Sequence, residues 1–271
     1  SYFNRNLDPD GLNLLTFQSA NSESTVSSYV TDDYFGLLEE GMGESAGDKL
    51  AIGVGRIPAP TLAHALAFVS KVETYSGANE DSTAGAGCET EGSSTTFGPW
   101  RNRIIFVTDD QDGNNNDGWR HMSDSEVHSD RVSEAHDEYD VIKIYPDSYI
   151  QDATPGGERY DEAEAEIARK VEEGALIIDY IGHGGDRGWA HERILNTTTI
   201  REWTNKKRLP VFMTATCEFS RFDDHDRVSA GEYVLLNPDG GGIGLLTTTR
   251  LVYATPNEWL NRFFYDTYLK K

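Results

Sequence analysis

Two stretches late in the chain decide its fold: residues 178–185, IDYIGHGG, and residues 211–217, VFMTATC. Each is an apolar run that ends abruptly at one reactive side chain, His183 in the first and Cys217 in the second. Such runs are typical of strands that are buried on both faces of a parallel sheet. Because the carboxyl ends of neighbouring parallel strands open onto one crevice, the two side chains can meet although 217 − 183 = 34 residues separate them.

The chain around these stretches alternates between strand-like and helix-like patterns. We predict strands at residues 103–108, 141–145, 175–181, 209–216 and 243–248. We predict helices at residues 123–139, 160–173, 228–236 and 257–269. Apolar strands that alternate with amphipathic helices indicate the α/β class, with a mostly parallel sheet flanked by helices on both faces.

The amino-terminal part has a pattern of its own. Residues 49–58, KLAIGVGRIP, predict a short strand that leaves through a turn, and Thr61 is placed to cap a following helix. The apolar face of that helix is formed by Leu62, Leu66, Val69 and Val72. Residues 76–98 are small and polar and predict a flexible linker or long loop. We therefore divide the chain into a smaller α/β subdomain at 1–75, the linker at 76–98 and a larger subdomain at 99–271.

Composition narrows the class of function. The chain of 271 residues has a formal net charge of −22, which argues against nucleic acid as a partner. It contains no apolar run of about 18 residues that would span a membrane, and no glycine-rich phosphate loop follows a strand in the expected setting. The sequence opens at Ser1 without a methionine, so we interpret it as a processed form or a cloned fragment.

The two cysteines differ in their surroundings. Cys88 lies in the small-residue linker, whereas Cys217 ends a strand-like run, and a disulfide between them would silence the better nucleophile. Taken alone, Cys217 fits an inert buried thiol and His183 fits a glycine turn that happens to contain histidine. Taken together they predict a Cys–His hydrolase or acyl-transfer site, because a nearby imidazole raises the thiolate population. The backbone amides of Gly184 and Cys217 are then the candidate oxyanion donors.

A third group is expected to orient the imidazole. The predicted strand at 103–108 ends in Asp109 and Asp110 at the same sheet edge. We favour Asp110, with Asp109 as the alternative, and the competing interpretation is that both are solvated loop acids.

Metal and cofactor sites are weakly indicated. Residues 110–118, DQDGNNNDG, offer many oxygen ligands, so a structural calcium ion remains an option, although a plain polar loop is favoured. The loop is not an EF-hand, because its sixth position is Asn115 and its twelfth is His121. No histidine pair shows the spacing of a zinc site, and we expect His121 and His128 on a solvated helix face. We predict no other cofactor.

The residues also resemble a known family. Residues 180–184, YIGHG, followed by a strand that ends at Cys217, resemble the gingipain-type cysteine peptidases, which share a caspase-like α/β fold. Residues 53–58, GVGRIP, resemble the end of the first gingipain subdomain. A more specific resemblance is to the PorU group of type IX secretion sortases. It is carried by residues 182–185, Trp189, and residues 192–193, 214–223, 229–232 and 241–250.

This resemblance implies specific roles. Cys217 would be the nucleophile and His183 the general base, with the Gly184 and Cys217 amides as the oxyanion hole. Asp110 stands where gingipains carry a glutamate. The expected activity is removal of the carboxy-terminal signal domain of exported cargo, with transfer of the new end to anionic lipopolysaccharide.

The resemblance also implies a setting. The enzyme is expected at the cell surface, associated with the outer membrane and with other type IX secretion components. PorU proteins are much longer than this chain, so 271 residues would be a catalytic fragment. Two alternatives stay open: a secreted gingipain-like endopeptidase of general specificity, and a non-catalytic module that binds cargo.

Overall fold

The computed structural model describes residues 16–19, 24, 26–43, 47–78, 96–111, 118–224 and 226–269. These residues form an α/β structure whose main sheet has five strands. The helices are α1 (Leu62–Tyr75), α2 (Arg120–Ala135), α3 (Asp161–Glu173), α4 (Thr197–Glu202), α5 (Ala230–Leu236) and α6 (Ala254–Tyr268). The strands are β1 (Phe17–Gln18), β2 (Val30–Thr31), β3 (Arg103–Thr108), β4 (Asp140–Ile144), β5 (Asp152–Thr154), β6 (Gly157–Arg159), β7 (Ile177–Ile181), β8 (Gly184–Gly185), β9 (Gly188–Trp189), β10 (Leu195–Asn196), β11 (Val211–Ala215) and β12 (Gly244–Leu246).

The main sheet has the strand order β12-β11-β7-β3-β4, and every neighbouring pair is parallel. The central strand β7 is hydrogen-bonded to β11 on one side and to β3 on the other. The predicted mostly parallel sheet with flanking helices is confirmed. Because β7, β11 and β3 are adjacent, the residues that follow them share one edge of the sheet.

Both faces of the sheet are buried, and consecutive residues of β3 belong to different cores. Ile104 and Phe106 pack in a core that includes residues of α2 and α6. Ile105 and Val107 pack in the opposite core, which includes residues of α3, α4 and α5. This alternation follows from the two-residue period of a strand, and it explains why the strand sequences are apolar without interruption.

One strand residue departs from the apolar pattern. Asp179, in the middle of β7, is fully buried. Its carboxylate accepts hydrogen bonds from Asn261 Nδ2 at 3.1 Å and from the Tyr265 hydroxyl at 2.8 Å. Burial raises the pKa of Asp179 to about 7, and the two donors from α6 partly offset that effect. The acid thus ties α6 to the central strand.

Helix α1 contacts the rest of the structure through a lysine. Thr61 caps the helix as predicted, its side chain accepting a hydrogen bond from the backbone of His64 at 3.3 Å. The side chain of Lys71 is completely buried. Its Nζ donates to the carbonyls of Val234, Leu235, Asn237 and Gly240 at 2.8–3.3 Å. Burial, with the charge of Lys206, lowers the pKa of Lys71 to about 7.

Two predictions for the amino-terminal part were wrong. No strand forms at residues 49–58, where the described backbone is irregular. The stripe Leu62, Leu66, Val69 and Val72 does not pack in the core but is 46–75% exposed. The reason is that α1 turns its Lys71 side toward α5, and no described element covers the opposite side.

The linker predicted at 76–98 falls largely on residues 79–95, which lie outside the described residues, as does Cys88. Among the described residues, no helix combines the length and the apolar character needed to cross a bilayer.

Candidate active site

His183 is held through its backbone just beyond the end of β7. Its N–H donates to Asp109 Oδ2 at 2.8 Å. Its carbonyl accepts from the Tyr180 hydroxyl at 2.5 Å and from the Ala190 N–H at 2.9 Å. These three contacts fix the backbone, so the half-buried imidazole is presented at the carboxyl edge of the sheet.

Gly182 makes this arrangement possible. A Cβ atom added at this position would lie 2.5 Å from the Tyr180 hydroxyl and 2.6 Å from Asp109 Cβ, which is too close for any real side chain. Glycine therefore allows Asp109 and Tyr180 to approach the His183 backbone from two sides.

Cys217 lies two residues beyond the end of β11, and its side chain is half-buried. The thiol donates to the carbonyl of Val252 at 3.6 Å and accepts from the Val252 N–H at 3.5 Å. The next residue, Glu218, has a φ of 50° and its N–H donates to the Arg250 carbonyl at 3.1 Å. Residues 217–218, which we call the cysteine segment, therefore turn sharply and are supported by the segment around Val252.

A buried ion pair stabilises that support. Arg250 and Asp223 form a two-point contact at 2.6 and 2.8 Å, and their side chains are only 6% and 8% exposed. Arg250 Nε also donates to Ser28 Oγ at 2.9 Å, and Gln18 Nε2 donates to Asp223 at 2.9 Å. The hydrogen bonds that Arg250 donates to Asp223 raise the pKa of Arg250. Gln18 of β1 and Ser28 are thereby joined to the ion pair that supports the cysteine segment.

The two candidate acids that follow β3, Asp109 and Asp110, contact different partners. Asp110 accepts from the Tyr160 hydroxyl at 2.9 Å and from Gln151 Nε2 at 3.4 Å, and its other oxygen is buried without a hydrogen-bond partner. Asp109 instead contacts His183, and one of its carboxylate oxygens lies within 4.8 Å of a His183 ring nitrogen. The sequence favoured Asp110; the structure places the alternative, Asp109, against the histidine.

Asp109 is buried among other acids. Burial raises its pKa to about 8, and the charges of Asp110 and Glu192 add to this, whereas the hydrogen bond from His183 opposes it. The carboxylates of Asp109, Asp110 and Glu192 have oxygens within 4.8 Å of one another. This acidic cluster lies directly behind His183.

The geometry around Gly184 leaves its amide available. The Ala190 N–H bonds the His183 carbonyl, so the next facing pair, Gly184 and Trp189, is of the non-hydrogen-bonded kind. The Gly184 N–H therefore points away from β9. A Cβ on Gly184 would lie 2.6 Å from Thr216 Oγ1, so this glycine lies against the side chain of the residue just before Cys217.

Two further histidines surround His183. The ring of His121 contacts it edge-on, with centroids 4.9 Å apart, and the ring of His191 stacks on it at 5.7 Å. The prediction of a solvated face for His121 and His128 was wrong, since both are buried. Helix α2 packs this face against the sheet edge and α6, where His128 stacks on Tyr265 at 5.4 Å. Burial lowers the pKa of His128 to about 4.

A cleft of about 700 Å³ begins at Gly184 and runs along the β8–β9 hairpin to α4. His191 lines it, together with three arginines, Arg159, Arg187 and Arg193. Arg159 also pairs with Glu164 at 2.7 Å. Asp186 also lines this basic cleft, so three arginines face one acid. On a chain of net charge −22, such a lining is suited to an anionic group.

The sequence predicted His183 and Cys217 as site residues but did not indicate several residues that contact them. His121 and Val252 gave no motif that would have linked them to the site, and Tyr180 was named only as part of the YIGHG motif, without its contact to the His183 carbonyl. The loop proposed for calcium lies mostly at residues 112–117, outside the described residues, so that prediction stays untested.

Comparisons with known proteins support the fold described above. The family model "Peptidase family C25" matches residues 3–271. The structure is similar to that of the Arg-specific cysteine proteinase gingipain R (RgpB), with a TM-score of 0.63 and 16% identity over 88% of this chain and 48% of that chain. The complex of Porphyromonas gingivalis RgpB pro- and mature domains gives a TM-score of 0.62 and 14% identity over 86% and 48% of the two chains.

A structure described only as a protease gives a TM-score of 0.54 and 16% identity over 85% of this chain and 42% of that one. No curated protein sequence matches this chain. The chain spans about half the length of the solved gingipain chains it matches. Its parallel sheet and flanking helices are those of the gingipain-like caspase fold. With a family match over almost its whole length, the chain belongs to peptidase family C25, the gingipain-type cysteine peptidases.

Proposed function

We propose that this chain is the catalytic part of a cysteine peptidase in which Cys217 is the nucleophile and His183 the general base. The observation that carries the proposal is the adjacency of β11 and β7: their last residues, Ala215 and Ile181, are paired, and Cys217 and His183 each follow two residues later on one sheet edge. His183 takes the thiol proton, and the thiolate attacks the substrate carbonyl carbon. The tetrahedral intermediate collapses to a thioester, and the departing amine receives the proton from His183.

The amides of Gly184 and Cys217 are proposed to hold the negative oxygen of the intermediate. The Gly184 N–H is directed away from its hairpin partner, and its α-carbon lies against Thr216, immediately before the nucleophile. A donor of this kind contributes roughly 3–4 kcal/mol to the stability of the transition state.

Asp109 is proposed as the positioning residue for His183. It bonds the histidine backbone and keeps an oxygen near the ring, whereas Asp110 is engaged by Tyr160 and Gln151. This choice replaces the Asp110 assignment that the sequence favoured.

For substrate, we propose the sortase reaction: removal of the carboxy-terminal signal domain from type IX secretion cargo at the cell surface, in association with other outer-membrane components of that system. Water resolves the thioester in hydrolysis, and an amine resolves it in transfer to anionic lipopolysaccharide. The basic cleft beside Gly184 supports an anionic acceptor, since Arg187 and Arg193 line it. The sequence resemblance in residues 214–223 supports the same assignment.

The deciding experiment places Cys217→Ala in the full-length protein and follows cargo maturation in cells. We expect cargo that retains its carboxy-terminal domain to accumulate. Cys88→Ser is the matched control, because Cys88 is the other cysteine of this sequence and has no proposed role. Normal maturation with Cys217→Ala would refute the sortase function. If maturation is normal with Cys217→Ala, rapid cleavage of a broad peptide library by the unsubstituted protein would indicate a general endopeptidase.

A further inference from the structure

Three side chains of the metal-ligand type converge at the candidate site. Asp109, His121 and His183 each offer one ligand atom, and these atoms lie within 4.8 Å of one another. They come from the end of β3, the first turn of α2 and the end of β7. Asp109 and His121 are buried, and His183 is half-buried. Their separation along the chain explains why no sequence spacing indicated a metal site.

This set of nitrogen and oxygen ligands suits a divalent ion of intermediate softness, such as Zn²⁺. Two imidazole nitrogens and one carboxylate oxygen bind Zn²⁺ in sites that keep a fourth position open. Ligand atoms around tetrahedral Zn²⁺ lie roughly 3.4 Å apart when the bonds are about 2.1 Å, so small side-chain rotations suffice. Ca²⁺ requires six or more oxygens, and this triangle contains one carboxylate.

The surroundings also favour a cation. Asp110 and Glu192 are buried, and their carboxylates lie within 4.8 Å of Asp109. Asp109 Oδ2 already accepts the His183 N–H, and such outer hydrogen bonds orient ligating carboxylates in metal sites.

We propose that Asp109, His121 and His183 bind one Zn²⁺ ion, and that the ion inhibits the peptidase. Binding engages a ring nitrogen of His183, which then cannot accept the Cys217 proton. The inhibitory part rests on the proposed function, because it requires His183 to act as the base. The binding part does not.

Binding is tested on folded Cys217→Ala protein, in which a thiolate cannot compete for the metal. Zn²⁺ is titrated in competition with a chromophoric chelator. We expect one ion per chain, and at least about tenfold weaker binding in Cys217→Ala/His121→Gln, since loss of even an outer partner costs 10–100-fold. His191→Gln is the matched control, because His191 also contacts the His183 ring but lies outside the ligand set. Equal affinity with and without His121, or no stoichiometric binding, would overturn the proposal.

Inhibition is tested with Cys217 intact, each variant being compared with its own zinc-free rate on a peptide substrate. We expect the inhibitory Zn²⁺ concentration to rise at least about tenfold in His121→Gln and to stay unchanged in His191→Gln. An enzyme that binds Zn²⁺ at His121 but keeps its full rate would refute inhibition. A protein that binds Zn²⁺ but cleaves nothing without it would contradict the peptidase function instead.

Discussion

Arg250→Met tests how the cysteine segment is held. The Arg250–Asp223 pair makes two contacts, at 2.6 and 2.8 Å, with side chains 6% and 8% exposed. Removing one partner of a buried pair leaves the other charge uncompensated and costs about 3–5 kcal/mol. For a chain of this size each kcal/mol lowers Tm by about 2–4 °C, so we expect a decrease of about 6–20 °C.

The measurement is thermal unfolding in a Cys217→Ala background, which prevents self-cleavage. Arg131→Met is the matched control: Arg131 pairs with Asp266 at 2.7 Å, but these side chains are 35% and 45% exposed. Such an exposed pair contributes at most about 1 kcal/mol. With Cys217 intact, Arg250→Met should also lower kcat/KM, because loss of the ion pair loosens the residue whose backbone carbonyl accepts the Glu218 N–H. A Tm equal to that of Arg131→Met would refute the reasoning.

Three further predictions concern acids and the buried lysine. Asp109→Asn should lower kcat at least about 100-fold, as expected for the positioning acid of a triad, and Asp110→Asn far less; the reverse order in peptide assays would restore Asp110. Lys71→Met should cost about 2–3 kcal/mol in urea unfolding, because it leaves several carbonyls without a donor; an unchanged midpoint would contradict this. Asp179→Asn should gain stability relative to the parent as pH rises from 4 to 7, by at most about 1.4 kcal/mol per unit, because the folded parent keeps a proton that its unfolded chain loses. Parallel Tm curves for parent and variant would refute that assignment.

Much of the fold around the candidate site could be predicted, because the apolar sequences that indicate its strands are local. The apolar runs that became β3, β7 and β11 are continuous, since both faces of each strand are buried. The predicted parallel sheet places their ends at one edge whatever the loop lengths are. The sequence could therefore predict that the residues following β7 and β11, among them His183 and Cys217, lie at the same sheet edge. The helix boundaries shifted by up to four residues, as for α2, which runs from 120 to 135 rather than from 123 to 139.

Helix α1 shows what periodicity does not specify. Its stripe from Leu62 to Val72 identifies an apolar face but not the surface that covers it. The contact that docks the helix is instead made by Lys71, whose long side chain delivers an ammonium group to a set of backbone carbonyls. A charged residue satisfying carbonyls at the end of α5 has no sequence pattern, so it could not be predicted.

The choice between Asp109 and Asp110 depends on where the chain leaves the sheet. Extrapolated strand alternation puts Asp109 on the same face as Val107, in the core that contains Tyr160. Yet Tyr160 bonds Asp110, whereas Asp109, whose N–H continues the β3–β7 ladder to the Ile181 carbonyl at 3.2 Å, accepts the His183 N–H. No residue type in the sequence fixes the path of the chain after Thr108. The acid that we propose as the partner of His183 is the one whose carboxylate accepts the His183 N–H, and that tertiary hydrogen bond has no signal in the sequence, so the sequence offered both acids without deciding between them.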